Sequence, residues 1–159
     1  MGVEIERKFL LLSDDWKAQV EKSYQMQQGY LSHDAQSSVR VRICDDRADI
    51  NIKSTRDGIY RLEYEYAIPM VDAQELLTQV AHRPLVKKTR HIIHVANHCW
   101  EIDEFDGDNA GLIVAEIELS HVDEVFEHPS WLGEEISTDA RYYNSNLSKL
   151  PYRFWKQDL

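Results

Sequence analysis

Glu4, Glu6 and Lys8 stand at alternate positions near the start of the chain. Side chains two apart share a face of a β-strand, so the run from Val3 to Leu10 sets two carboxylates and an ammonium on one side. Val3, Ile5 and Phe9 fall on the other. Such a row suits a divalent cation held beside an anion, and it equally suits a strand face in water. The same spacing recurs downstream, in Arg40/Arg42, Lys88/Arg90, Glu101/Asp103 and Glu116/Glu118, with Lys53 opposite Ile50 and Ile52, and with Arg61, Glu63 and Glu65 opposite Leu62, Tyr64 and Tyr66. The paired charges are segregated by strand, and serine and threonine are nearly absent from them. A solvated sheet face does not need that segregation. Carboxylates are hard oxygen donors suited to Mg²⁺ or Mn²⁺. Arginine forks match phosphate oxygens and lysines add point charges. A cavity with both kinds of wall suits a chain of phosphates bridged by metal, because phosphoryl transfer depends mainly on positioning and charge stabilisation.

The elements that must hold these rows are mostly strands. Alternation marks strands over residues 3–10, 23–33, 38–43, 48–53, 59–68, a long one from Pro84, then 100–105 and 112–119. Asp57-Gly58 signals a hairpin turn. Ser13 is expected to cap a short helix reaching about Lys22. Pro69 ends a strand, and Asp72 with Glu75 resembles a capping box, stapled by Val71 and Leu76. Ala73, Leu76, Leu77 and Val80 continue that helix as an apolar stripe. A short helical piece is expected near 122–126, and Thr138 is expected to cap a last helix bearing Tyr143, Leu147 and Leu150. The fold class that reconciles charged rows with apolar ones is α+β. It is a closed eight-stranded antiparallel β-barrel, a tunnel with a charged lumen and helices packed outside. Residues 1–159 read as one domain, with 151–159 an aromatic tail.

Composition narrows the partners. A formal net charge of -10 disfavours nucleic acid and anionic membranes. Hydrophobic content of 43% fits a chain that builds a core. Cys44 and Cys99 form no disulfide framework, no apolar signal segment opens the chain, and no apolar run suits a bilayer span, so a soluble cytoplasmic protein is expected. His91, His94, His98 and Cys99 lack the spacing of a zinc site. Trp16, Trp100, Trp131 and Trp155 read as packing residues, and Arg7 and Lys87 face away from the lumen.

Several of these blocks also resemble a known family. Glu4-x-Glu6-x-Lys8, Gln28-Gly29-Tyr30-Leu31, Val39-Arg40-Val41-Arg42 and Ile52-Lys53-Ser54 look like the triphosphate tunnel metalloenzymes, or CYTH proteins. So do Glu63-Tyr64-Glu65, Val86-Lys87-Lys88-Thr89-Arg90, Glu101-Ile102-Asp103, Glu116-Ile117-Glu118 and Arg141-Tyr142-x-Asn144. The resemblance implies a metal-dependent hydrolase of triphosphate compounds, most like the short bacterial inorganic triphosphatases, which uses a metal-activated water. Glu4, Glu6, Glu116 and Glu118 would hold metal, helped by Asp103, Glu63 and Glu65. Lys8, Arg40, Arg42, Lys53, Arg61, Lys88, Arg90 and Arg141 would bind phosphates. Glu4 or Glu118 would orient water while Lys8 stabilises the leaving oxygen. Ala140 departs from the lysine that many short relatives carry. The small-molecule triphosphate is the expected partner, with a homodimer left open. A class IV-type adenylate cyclase, a thiamine triphosphatase and a non-catalytic polyphosphate or nucleotide sensor are the alternatives. Of these, the sensor is disfavoured by the full acidic set.

Overall fold

In the computed structural model, residues 2–155 are described. The strands are β1 (Gly2–Leu11), β2 (Lys22–His33), β3 (Ser37–Cys44), β4 (Arg47–Ser54), β5 (Tyr60–Ala67), β6 (Val86–Val95), β7 (His98–Phe105), β8 (Ile113–Glu118) and β9 (Leu132–Glu135). Two α-helices join them, α1 (Met70–Gln79) and α2 (Asn144–Lys149). Eight strands run in the order β5-β4-β3-β2-β6-β7-β8-β1, and a β5–β1 pairing closes them into a barrel, as the alternation predicts.

Closure rests on β1, whose segments have different neighbours. Gly2 to Ile5 pair with β5, with Glu4 opposite Arg61. Glu6 to Phe9 pair with β8, with Glu6 opposite Glu118 and Lys8 opposite Glu116. Phe9 and Leu11 pair with β9, a ninth strand that continues the sheet beyond the barrel. Because the register is antiparallel and side chains alternate, every inward residue of β1 meets an inward residue of its neighbour.

Most apolar rows face outward and are covered, while the Tyr60, Tyr64 and Tyr66 row of β5 stays exposed. Trp16, Trp100 and Trp131 are fully buried in one cluster with Phe9, Ile93, Ile102 and Ile117. Ala73 and Leu77 of α1 bury Val41 and Ala48 of β3 and β4. Gly29 makes that helix packing possible, since a Cβ there would lie 2.7 Å from Leu85 and 3.0 Å from Leu77. Val86, Phe105, Val114, Tyr142 and Leu147 form a third cluster where α2 and the preceding turn close one side. Trp155 stacks edge-on against Tyr142 and Tyr152, so this part of the aromatic tail is also packing. The expectation for the tail beyond Trp155 lies outside the described residues.

Several local expectations are corrected. The helix from Ser13 is only a 3₁₀ turn, Asp15–Gln19, because Trp16 drives into the core and Lys22 already belongs to β2. Ser13 Oγ accepts from the Asp15 amide at 3.3 Å. Helix α1 starts one turn early, with Pro69 at its cap, so Asp72 lies inside the first turn and no capping box forms. Val71 and Val80 are exposed. No helix forms at 122–126; the segment is a turn followed by extended chain that buries Phe126. Asp139 rather than Thr138 caps the last segment, a 3₁₀ turn over Ala140–Tyr142. Leu150 is exposed beyond α2. Among the described residues no helix is long and apolar enough to cross a membrane.

Candidate active site

The inward rows enclose a cavity of about 170 Å³. Its lining includes Glu4, Glu6, Lys8, Arg40, Arg42, Lys53, Arg61, Glu63, Glu65, Lys88, Arg90, Glu116 and Glu118, so the barrel brings together thirteen of the fifteen residues singled out in the sequence. Each strand contributes through its period of two. Neighbouring rungs therefore touch across the ladder and interact as ion pairs.

On the β1–β5 side, Glu4 Oε1 accepts from Arg61 Nε at 2.7 Å while Glu4 Oε2 lies 3.4 Å from Lys53 Nζ. Lys53 also reaches Glu63, at 3.1 Å. Across β3 and β4, Arg40 donates from Nε and Nη2 to Asn51 Oδ1 at 3.0 and 2.9 Å. Asn51 in turn donates to Glu65 at 2.7 Å. Arg42 Nη2 sits between Glu65 and Asp49, at 3.2 and 3.5 Å. On the β6–β7 side, Lys88 donates to Asp103 at 2.7 Å and to Asn144 Oδ1 of α2 at 3.0 Å. Arg90 clamps the same Asp103 from Nε and Nη2 at 2.8 and 2.9 Å. Glu116 lies 3.6 Å from both Lys8 and Arg90.

Two of the fifteen assigned residues, Asp103 and Arg141, lie outside the cavity lining. Asp103 is completely buried and lies behind the wall, both oxygens taken by Lys88 and Arg90. Both oxygens accept from the cations that it holds in place. Arg141 is outside the cavity. Its side chain is 63% exposed, with the guanidinium bonded to Asp139 at 2.6 Å and packed over Trp155. A carboxylate two residues away captures it at little entropic cost, which leaves nothing to send it into the tunnel.

Glu101, from the Glu101/Asp103 row, lines the cavity as well, and the structure adds residues that alternation did not reveal: Arg56, Tyr30, Ser38, Tyr143, Asn144 and Ser145. Arg56 lies in the turn past β4, where the strand rule no longer applies. Asn144 belongs to a block noted for its family resemblance. Gln28 donates to its Oδ1 at 2.8 Å, so two donors from the barrel fix this first residue of α2 against the lumen.

Electrostatics divide the carboxylates into two groups. Burial opposes charge on Glu4, yet Lys53 and Arg61 more than offset it and hold its carboxyl well below the usual range. Glu116 behaves alike, overcoming burial through Lys8 and Arg90. Burial with repulsion from Glu116 and Glu4 pushes Glu6 up to about 8. Burial with repulsion from Glu4, Glu101 and Glu63 raises Glu118. Among the cations, burial depresses Lys53 and Lys88 to about 8, against the pull of their carboxylate partners.

This donor set fits a hard divalent cation. Glu4, Glu6, Glu116 and Glu118 crowd onto two neighbouring strands, and the repulsion that raises Glu6 and Glu118 is what a bound cation would relieve. Among the described residues, however, no three His, Cys, Asp or Glu side chains already converge on one point; Glu4 and Glu116 turn instead toward lysine and arginine.

Comparison with known proteins gives a consistent picture. The CYTH domain profile matches residues 2–151. An inorganic triphosphatase of Acetivibrio thermocellus is 44% identical over 157 residues, covering 99% of this chain and 100% of that protein. An inorganic triphosphatase of Nitrosomonas europaea is 32% identical over 150 residues, covering 91% and 96%. A crystal structure of an inorganic triphosphatase superposes with a TM-score of 0.65 at 31% identity, covering 91% of this chain and 97% of that one. A Bacillus halodurans structure described as a proposed adenylate cyclase gives a TM-score of 0.61 at 16% identity over 77% of this chain and 84% of that one, a likeness of fold alone.

Proposed function

Because the chain belongs to the CYTH domain family, we propose that it hydrolyses triphosphate compounds, with inorganic tripolyphosphate as the principal substrate and Mg²⁺ or Mn²⁺ as cofactor. One observation carries the reading: the carboxylates of β1 and β8 and the cations of β3, β4 and β6 point inward around a single cavity. When bound, the divalent cation supplies Lewis-acid polarisation of phosphoryl oxygens and activation of water. Glu4, Glu6, Glu116 and Glu118 would hold it, with Glu63 and Glu65 adding negative charge at the edge.

The chain's own groups then account for the rest of the chemistry. Arg40, Arg42, Lys53, Lys88 and Arg90 bind the phosphate chain, replacing water around its oxygens with fixed donors. Arg61 holds Glu4 in place from the next strand. Glu118 accepts the proton of the attacking water, a role suited to a carboxyl raised above its usual range. Glu4 orients that water. Lys8, buried beside Glu116, stabilises charge on the leaving oxygen. Cys44 and Cys99 carry free thiols, in keeping with the cytoplasmic placement we also propose.

The wider mouth of the tunnel adds Tyr24, Met26, Met70 and Ile92 to the polar lining, apolar area on which an organic group fits. The test is a panel of tripolyphosphate, ATP and thiamine triphosphate with either metal, products resolved. Orthophosphate release, fastest from tripolyphosphate, is the expected result. Cyclic nucleotide formation from ATP would favour the cyclase alternative. No turnover of any of the three would leave only a binding protein.

A further inference from the structure

The lumen cations differ in how fully the protein neutralises them. Arg61, Lys53, Arg42, Lys88 and Arg90 each reach a carboxylate oxygen at 3.4 Å or less, Arg40 is held instead by two hydrogen bonds to Asn51, and Lys8 lies 3.6 Å from Glu116. Arg56 has neither a close carboxylate nor a side-chain hydrogen bond of that kind. Its nearest carboxylate oxygen is Glu6 Oε1, 3.5 Å from Nη2, which is long for a charge-assisted hydrogen bond. Its Nε is buried without a hydrogen-bond partner. The side chain is only 8% exposed and lines the cavity. A guanidinium in that condition is costly unless an anion arrives to complete it.

Arg56 is also held in place. Its Cζ stands 4.8 Å from the Tyr143 ring centroid, a cation–π contact that fixes the plane of the fork. Tyr143 immediately precedes α2, whose first residue Asn144 is bonded to Gln28 and Lys88 of the barrel. The position of the fork is therefore set by the element that closes this side of the tunnel. Arg56, Arg61, Ser38, Tyr143 and Ser145 line both the central cavity and a second opening beside His33 and Thr55, at the end of the barrel away from Met26 and Met70.

We propose that Arg56, oriented by Tyr143, forms a terminal-phosphate subsite at this second mouth. A tripolyphosphate then spans from the inner cations to Arg56, whereas pyrophosphate is short enough to be held by the inner cations alone. The proposal rests on the triphosphatase reading above and extends it to the placement of the substrate. Arg56 is a binding residue here, and Tyr143 a positioning one.

Steady-state kinetics on the full chain test both. Arg56→Gln is expected to raise KM for tripolyphosphate about 10- to 100-fold, the loss of a charge-assisted contact, with kcat changed much less. The inhibition constant of pyrophosphate should stay within about 3-fold. Arg56→Lys keeps the charge without the fork and should recover part of the loss. Tyr143→Leu should raise KM by a smaller factor. An unchanged KM in Arg56→Gln overturns the subsite, and so does an equal loss for both ligands. If Arg56→Gln does not fold, Arg56→Lys decides the matter, and an unchanged KM for tripolyphosphate in that variant overturns the proposal. A wild-type chain that neither binds nor cleaves tripolyphosphate would instead remove the underlying function.

Discussion

On the β6–β7 side of the tunnel, Asp103 is surrounded by Lys88 and Arg90 and held below its usual pKa despite complete burial. On the β1–β8 side, Glu6 pairs with Glu118 across the ladder, and each is pushed up by burial and by other carboxylates, Glu116 and Glu4 for Glu6 and Glu4, Glu101 and Glu63 for Glu118. Similar side chains on similar strands thus meet opposite conditions. The first wall is already balanced by its own cations, and so it serves as a rigid frame for Lys88 and Arg90. On the second, Glu4 and Glu116 are paired with cations while Glu6 and Glu118 are left disfavoured by burial and like charge, which folding tolerates only at a cost. Repulsion kept in a polar cavity is a ready place for a divalent cation. The difference teaches that exposure to the cavity, rather than pairing alone, separates the carboxylates: Asp103 is enclosed by Lys88 and Arg90 away from the lining, whereas Glu4 and Glu116 keep their cation partners and still line the cavity beside Glu6 and Glu118.

The contrast is broken most sharply by removing one carboxylate from each wall. Glu118→Gln should lower kcat by at least about 10³-fold, ~4 kcal/mol of transition-state stabilisation, with little change in unfolding midpoint because it relieves repulsion in the fold. Glu4→Gln should also abolish turnover. Phosphate-release rates with matched denaturation curves would check this, and near-normal rates in both variants would mean that the β1–β8 wall is not the reacting one. Asp103→Asn should do the reverse. It leaves Lys88 and Arg90 buried without their shared counter-charge and should cost about 3 kcal/mol of stability, read from urea denaturation. Loss of activity without loss of stability would show that Asp103 acts as more than a frame.

Much of this division was legible in the residue order, and the gaps have physical causes. The period of two told which side chains turn inward, and fourteen of the fifteen charged residues it singled out do line the cavity. It could not tell how deep they lie, which is why Asp103 looked like Glu116 until the ladder partners were known. Strand β9 carried no signal. Leu132-Gly133-Glu134-Glu135 lacks β-branched residues, and it is a strand because β1 offers it a free edge, with Gly133 passing 2.7 Å from where its Cβ would meet the Leu10 carbonyl oxygen. Arg56 sits past the last alternating residue of its strand, in a turn whose path depends on Gly58, at φ 62°. Arg141 was read through its block, but a neighbouring aspartate decided its direction.

The two walls should finally separate in their response to pH, in metal-free protein. Glu6 is raised to about 8, so the folded chain binds a proton there that the unfolded chain has released above its ordinary pKa of 4.5. Where the folded state holds more protons, stability falls as pH rises. The Glu6 contribution therefore declines between about pH 4.5 and pH 8 and levels off above. Asp103 runs the other way. Its depressed pKa contributes stability that is present above the ordinary value of 3.8 and is lost only as pH falls below it. Glu6→Gln should consequently flatten the decline of unfolding free energy between pH 5 and pH 8, and leave the acid limb below pH 4 in place. Denaturant titrations at four pH values across that range, in EDTA, measure the slope. An identical slope in wild type and variant would mean that Glu6 carries no excess proton, and that the repulsion assigned to the β1–β8 wall is already relieved by the protein itself.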